Sequence, residues 1–175
     1  DHRSAMQKYE TAVSVMPDDG QLWLNLARET LAVQPAANTS EASTLPMNAT
    51  SAAFNAYKLL RTTKTRADVL ALLGAGLDKR DLYRPALQAY EASLALVTSP
   101  AVQADYADLK ARKGFRVIDH SVDADTSAPR ICAQFSEELV KTGVDYAQFV
   151  TVDNAPPKGV EAKDKQICVE GLEHG

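Results

Sequence analysis

The sequence predicts an α+β multidomain chain: α-helical repeats followed by a partial antiparallel β-sandwich. Three observations predict it. Large and small apolar residues recur in phase, with Trp23-x2-Leu26-Ala27-x2-Thr30 followed by Leu70-x2-Leu73-Gly74-x2-Leu77. Ala5-x3-Tyr9 and then Pro17 is answered by Ala86-x3-Tyr90 and then Thr98. A helix-turn-helix repeat of about 34 residues has this grammar. After Gly114 the apolar period shortens to two, the period of a strand. The boundary therefore falls between residues 1–113, the helical repeats with an insertion loop at 34–50, and residues 114–175, the sandwich.

The elements follow from these periods. Ala5, Tyr9, Ala12 and Val13 recur at helical spacing over residues 4–15, and Met16-Pro17-Asp18-Asp19-Gly20 turns the chain. Leu22, Trp23, Leu26, Ala27 and Leu31 line one face of a second helix at 21–33, with Asp18 or Asp19 as its cap. Residues 34–50 are rich in Ala, Ser, Thr, Asn and Pro, show no apolar period, and read as an insertion. Trp23 to Leu70 spans 47 residues, one repeat of about 34 with 13 added, so the insertion accounts for the broken phase. Two glycosylation triplets, Asn38-Thr39-Ser40 and Asn48-Ala49-Thr50, are only surface-loop hints in such a segment.

Helices resume at 51–62, 65–78 and 83–97. Their stripes are Ala53, Tyr57 and Leu60; Leu70, Leu73 and Leu77; and Ala86, Leu87, Tyr90 and Leu94. Pro85 suits a first helical turn. A last helix at 101–112 follows Ser99-Pro100 and caps the stack. Beyond Gly114, an extended run through Val122 and a loop at 123–129 precede the alternation Ile131-Cys132-Ala133-Gln134-Phe135. Residues 146–152 and 166–170 are the third and fourth strand candidates, and 154–158 and 161–165 are turn material. Both ends read as cut, so the chain is expected to be a piece of a longer protein.

Composition excludes some functions. The 175 residues are 45% hydrophobic and 24% charged, ordinary for a globular chain. Residues 1–113 carry a net charge of +1 and residues 114–175 a net of −5. Neither part has the clustered basic face of a nucleic-acid binder, and no nucleic-acid partner is expected.

Residues with chemical potential do not assemble into an active site. Asp119-His120-Ser121 holds the residue types of a hydrolase triad, but neighbours on a strand point to opposite faces. Asp123-x-Asp125 lacks the Gly and distal Glu of a calcium loop. Gly74-Ala75-Gly76 lies in a helical pattern without the third glycine of a phosphate cradle. His2, His120 and His174 have no metal-ligand spacing. No catalytic residue, cofactor or metal site is expected. Gln21, Asn25 and Arg28 are the candidate peptide groove, because repeats of this kind clamp a carboxylate from the first helix of a unit. The matching places in the next unit hold Asp68, Ala71, Leu72 and Ala75, which offer no matching charge.

If Ile131, Ala133 and Phe135 face the core, Cys132 faces away, and Cys168 does the same between Ile167 and Val169. A disulfide is open if these strands are neighbours in register. It would close a loop of 37 residues and stabilise by roughly 3–4 kcal/mol. The alternative is two separate thiols in a reducing compartment.

The helical part resembles tetratricopeptide repeats, with Ala and Thr where Gly and Tyr are commonest. The second part shows Gly114-Phe115-Arg116-Val117-Ile118-Asp119-His120-Ser121-Val122-Asp123 and then Pro129-Arg130-Ile131-Cys132-Ala133-Gln134-Phe135-Ser136-Glu137-Glu138-Leu139. Asp145-Tyr146 and Gln166-Ile167-Cys168-Val169-Glu170-Gly171-Leu172-Glu173-His174-Gly175 follow. Together these resemble the amino-terminal region of bacterial alpha-2-macroglobulin family proteins, in some of which helical repeats precede the first macroglobulin-like β-sandwich. The resemblance implies a large envelope protein, periplasmic or tethered to the inner membrane, that traps proteases through a bait segment and a Cys-x-Glu-Gln thioester. This chain has neither, so it should not inhibit by that route.

The resemblance also favours a Cys132–Cys168 bridge. The expected function is that of a non-catalytic amino-terminal fragment of such an inhibitor, with a structural or protein-interaction role. Its partners would be the remainder of the parent protein, proteases met by the full-length protein, and an envelope protein. The alternative is an envelope scaffold that binds a protein through its repeats. An enzyme dependent on His120 is the remote third reading.

Overall fold

The structure, a computed structural model, describes residues 1–125 and 128–172. Thr126 and Ser127, in the loop expected before Pro129, and residues 173–175, at the end of the last matched segment, lie outside the described residues. Two units separate by their contacts, Asp1–Lys113 and Gly114–Gly175.

Among the described residues the first unit holds six α-helices: α1 (His2–Val15), α2 (Gly20–Ala32), α3 (Ser40–Leu59), α4 (Thr63–Asp78), α5 (Tyr83–Leu96) and α6 (Pro100–Lys113). Each packs on the next, and α2 also meets α4. The starts are set by side chains that accept orphan backbone N–H groups. Asp1 caps α1, Asp19 caps α2 through the amides of Gln21 and Leu22, and Thr62 caps α4. Of the two aspartates offered as the α2 cap, Asp19 is the one used.

One cluster buries Met6, Val13, Leu24, Leu26, Ala27, Leu45, Ala53, Ala56 and Val69, with Trp23 and Tyr57 packed against it. The Trp23 indole donates to the Pro17 carbonyl at 2.7 Å, so its one polar group is satisfied while its ring packs. A second cluster joins α5 and α6 through Ala86, Tyr90 and Leu109. Burial pushes the Tyr90 phenol up to about 12 and keeps it neutral. Gly74 sits where a Cβ would come within 2.7 Å of the Tyr90 ring. That position admits no side chain unless the helices part, so Gly74 lets α4 and α5 approach closely.

One expectation for this unit is corrected, and a second is met in part, since Leu73 and Leu77 pack against the two clusters. The insertion loop at 34–50 is in large part helix, because α3 begins at Ser40 and runs through Pro46. Its small residues hid a stripe: Leu45, Ala49, Ala52, Ala53 and Ala56 are buried at helical spacing. Its hydroxyls do not compete with the helix. Thr44 donates to the Ser40 carbonyl, Thr50 to Pro46 and Ser51 to Met47, inside the helix itself. Pro46 removes one ladder bond, and burial against the neighbouring helices offsets the loss. In α4 the fully shielded residues are Ala67, Val69, Gly74 and Gly76, whereas Leu70, Leu73 and Leu77 are half-buried. This helix lies between α3 and α5, so its closest approaches fall on small residues.

An ion pair ties the start of α1 to the start of α3. Arg3 donates to both carboxylate oxygens of Glu41, at 2.7 and 2.8 Å. The hydrogen bond from Arg3 holds the Glu41 carboxyl below its ordinary value of 4.5, against a smaller opposing desolvation and with added charge attraction. A depressed carboxylate contributes stability above its unfolded value, and that contribution is lost as pH falls through the folded value. Glu41→Gln is therefore expected to flatten the acid limb of the urea midpoint below about pH 4.5, with little change at pH 7 beyond a surface pair's small worth. An unchanged acid limb would sink this assignment.

Among its described residues the second unit holds one four-stranded antiparallel sheet. Its strands are β1 (Val117–Asp123), β2 (Arg130–Phe135), β3 (Gly159–Lys163) and β4 (Gln166–Glu170), in the order β1-β2-β4-β3. Two expectations change here. Tyr146–Phe149, inside the expected third strand at 146–152, is a 3-10 turn capped by Asp145. Part of 161–165, expected as turn, belongs to β3. Its partner β4 makes it a strand. Lys163 pairs with Gln166 across a two-residue connection in which Asp164 takes φ 51°, a conformation Asp tolerates.

Candidate interaction surface

Residues directly opposite each other in an antiparallel ladder share a face. Cys132 stands opposite Cys168, and their sulfurs are bonded at 2.13 Å. Ser121 and Glu161 stand on the same face in that row, and Asp119, Gln134, Gln166 and Lys163 in the next. The disulfide face is thus polar apart from the sulfurs, which are buried. The bridge staples adjacent strands within a single sheet.

The other face is apolar. Val122, Ile131, Val169 and Val160 form one row across all four strands, and His120, Ala133, Ile167 and Ala162 the next. Phe115 stacks on Phe135 with ring centroids 4.8 Å apart. The 3-10 turn brings Tyr146, Phe149 and Val150 to this side, and the Tyr146 hydroxyl donates to the Val140 carbonyl at 3.0 Å. Between these groups lies a cleft of about 460 Å³ with almost entirely apolar walls. Phe149 is 70% exposed and Ile131 44%. A sheet with one apolar face reaches a stable arrangement when that face meets another layer.

Gln21, Asn25 and Arg28 occupy successive turns of α2 and are bonded to one another. The Asn25 side-chain oxygen accepts from Gln21 at 3.2 Å and from Arg28 at 3.3 Å. Asp119, His120 and Ser121 follow each other on β1 with alternating faces, and the Asp119 carboxylate accepts the His120 backbone N–H at 2.8 Å. Asp123 accepts from the Arg130 guanidinium at 2.8 Å, which raises Arg130. Among the described residues no group of three His, Cys, Asp or Glu converges as metal ligands, and no helix is long and apolar enough to cross a membrane.

The cleft itself escaped sequence reasoning. Its aromatic wall at Tyr146 and Phe149 comes from a segment read as strand. The usable signal was Asp145 at the start of a short turn, the residue type that caps one.

These features define an α+β protein of six helices and a disulfide-stapled antiparallel sheet. No protein-family model matches the chain, and no curated protein matches its sequence.

Proposed function

We propose that this chain is a non-catalytic amino-terminal fragment of a bacterial alpha-2-macroglobulin-like protease inhibitor, working through contacts rather than chemistry. The observation that carries the reading is the two-sided sheet: one face stapled by Cys132–Cys168, the other apolar and open over a cleft of about 460 Å³. In this reading the sheet is half of a macroglobulin-like sandwich, and its apolar face is covered by the remainder of the parent protein. The six helices, packed in chain order, are tetratricopeptide-like repeats that position the sheet or meet an envelope partner. A disulfide suits an oxidising compartment and supports a periplasmic or envelope location. Proteases are then met by the full-length protein.

The test is an immunoblot of fractionated source cells with antibodies raised against this chain. The expected result is a polypeptide several times longer than 175 residues in the periplasmic or envelope fraction. A free species of this chain's own size in the cytosol overturns the proposal.

A further inference from the structure

β1 is the most exposed of the four described strands, and the chemistry of its outer edge selects an occupant. β1 ends the strand order, so alternate residues turn backbone N–H and C=O groups away from β2. Six of its seven residues are exposed. Its side chains are sorted by face. Val117, His120 and Val122 continue the apolar face, with Val117 54% and Val122 58% exposed. Asp119, Ser121 and Asp123 lie on the disulfide face, on a unit whose net charge is −5.

We propose that β1 is a docking edge for an extended partner segment that adds a fifth strand, with apolar residues on one side and Lys or Arg on the other. The apolar side lengthens the rows begun by Val122 and Ile131. The basic side meets Asp119, since opposite charges directly across a ladder are favourable, while Asp123 is already paired with the Arg130 guanidinium. The Asp119 carboxylate disfavours a second copy of this chain in the antiparallel β1–β1 register that sets Asp119 opposite itself, because like charges opposite one another repel. The register shift between Val117 and Asp119 confines regular pairing to the stretch from Asp119 to Asp123, where the two carboxylates lie.

This inference deepens the interaction role proposed above but does not depend on the parent's identity, which the immunoblot decides separately. The experiment uses the full chain and fluorescein-labelled peptides as long as the seven residues of β1, read by fluorescence anisotropy. A peptide alternating Lys and Val is expected to bind saturably. The same composition in scrambled order, and the alternating peptide with N-methyl groups on alternate amides, are expected to bind at least about tenfold more weakly. Asp119→Lys is expected to weaken the Lys/Val peptide by about tenfold and to strengthen an alternating Glu/Val peptide. Asp119 is an exposed strand residue, and an unchanged melting curve checks that the variant folds. The proposal is overturned if the Lys/Val peptide does not saturate, or if the scrambled or N-methylated peptide binds equally well. Indifference to Asp119→Lys, or light scattering that shows a dimer dispersed by that substitution, also overturns it.

Discussion

Replacing both cysteines, Cys132→Ala with Cys168→Ala, is expected to unfold the sheet unit at temperatures where the helical unit stays folded. The bridge joins residues 36 apart in sequence, and closing a loop of that size is worth about 4 kcal/mol in the chain-entropy model. The unit it staples is small, residues 114–175, and a domain of about 60 residues buries little more than half of its unfolded surface. At roughly 0.05–0.15 kcal/mol per residue, its whole stability is of the same order as the bridge. The open apolar face makes the balance worse, because Ile131, Phe149 and Val122 gain little from burial. Backbone amide resonances of β2 and β4 should collapse on heating or on adding dithiothreitol. Fluorescence of the single tryptophan, Trp23 in α2, should follow a separate and unshifted transition. One coincident transition, unchanged by the substitutions, would show that the bridge adds nothing.

Leu109→Ala is expected to weaken the packing of α6 on α5 by about 2–5 kcal/mol and to release α6. Leu109 is fully buried, and among the described residues it is the only buried one in α6. It fills the space beside Ala86 and Tyr90 on α5. Polar contacts also hold α6: Tyr106 donates to Glu91, and Arg112 reaches Asp78 at 3.3 Å. Both contacts lie at the solvent-exposed rim of the helix, where such pairs contribute less than one large buried side chain. Hydrogen exchange at the α6 amides should therefore quicken by about thirtyfold or more, while the α2 and α3 amides keep their protection. Unchanged α6 exchange would place the anchor of this helix elsewhere.

Much of the fold was legible where one residue's environment could be inferred from its neighbours in sequence. Leu26 and Ala27, on the face read from helical spacing, are buried, and one of the two aspartates before them caps the helix; Leu24, which that face left out, is buried as well. The alternations around Cys132 and Cys168 separate an apolar face from a polar one, and the strands are adjacent and in register. The missed elements are those that partners create. Residues 40–50 are polar or small, and they are helical because Leu45, Ala49 and Ala52 meet neighbouring helices. β3 has too weak an alternation to announce itself, and it is a strand because β4 supplies its hydrogen bonds.

The sequence by itself determined that helices come first and a sheet second, which residues around the two cysteines alternate, and that both sulfurs lie on one side of their strands. Those properties are local, set by backbone sterics and by periods of 3.6 and 2 residues. Only the tertiary structure decided that Cys132 and Cys168 are register partners, that a 3-10 turn walls the cleft, and that β1 is an edge. Strand order and neighbour choice depend on which distant surfaces exclude water together, and local periodicity does not encode that.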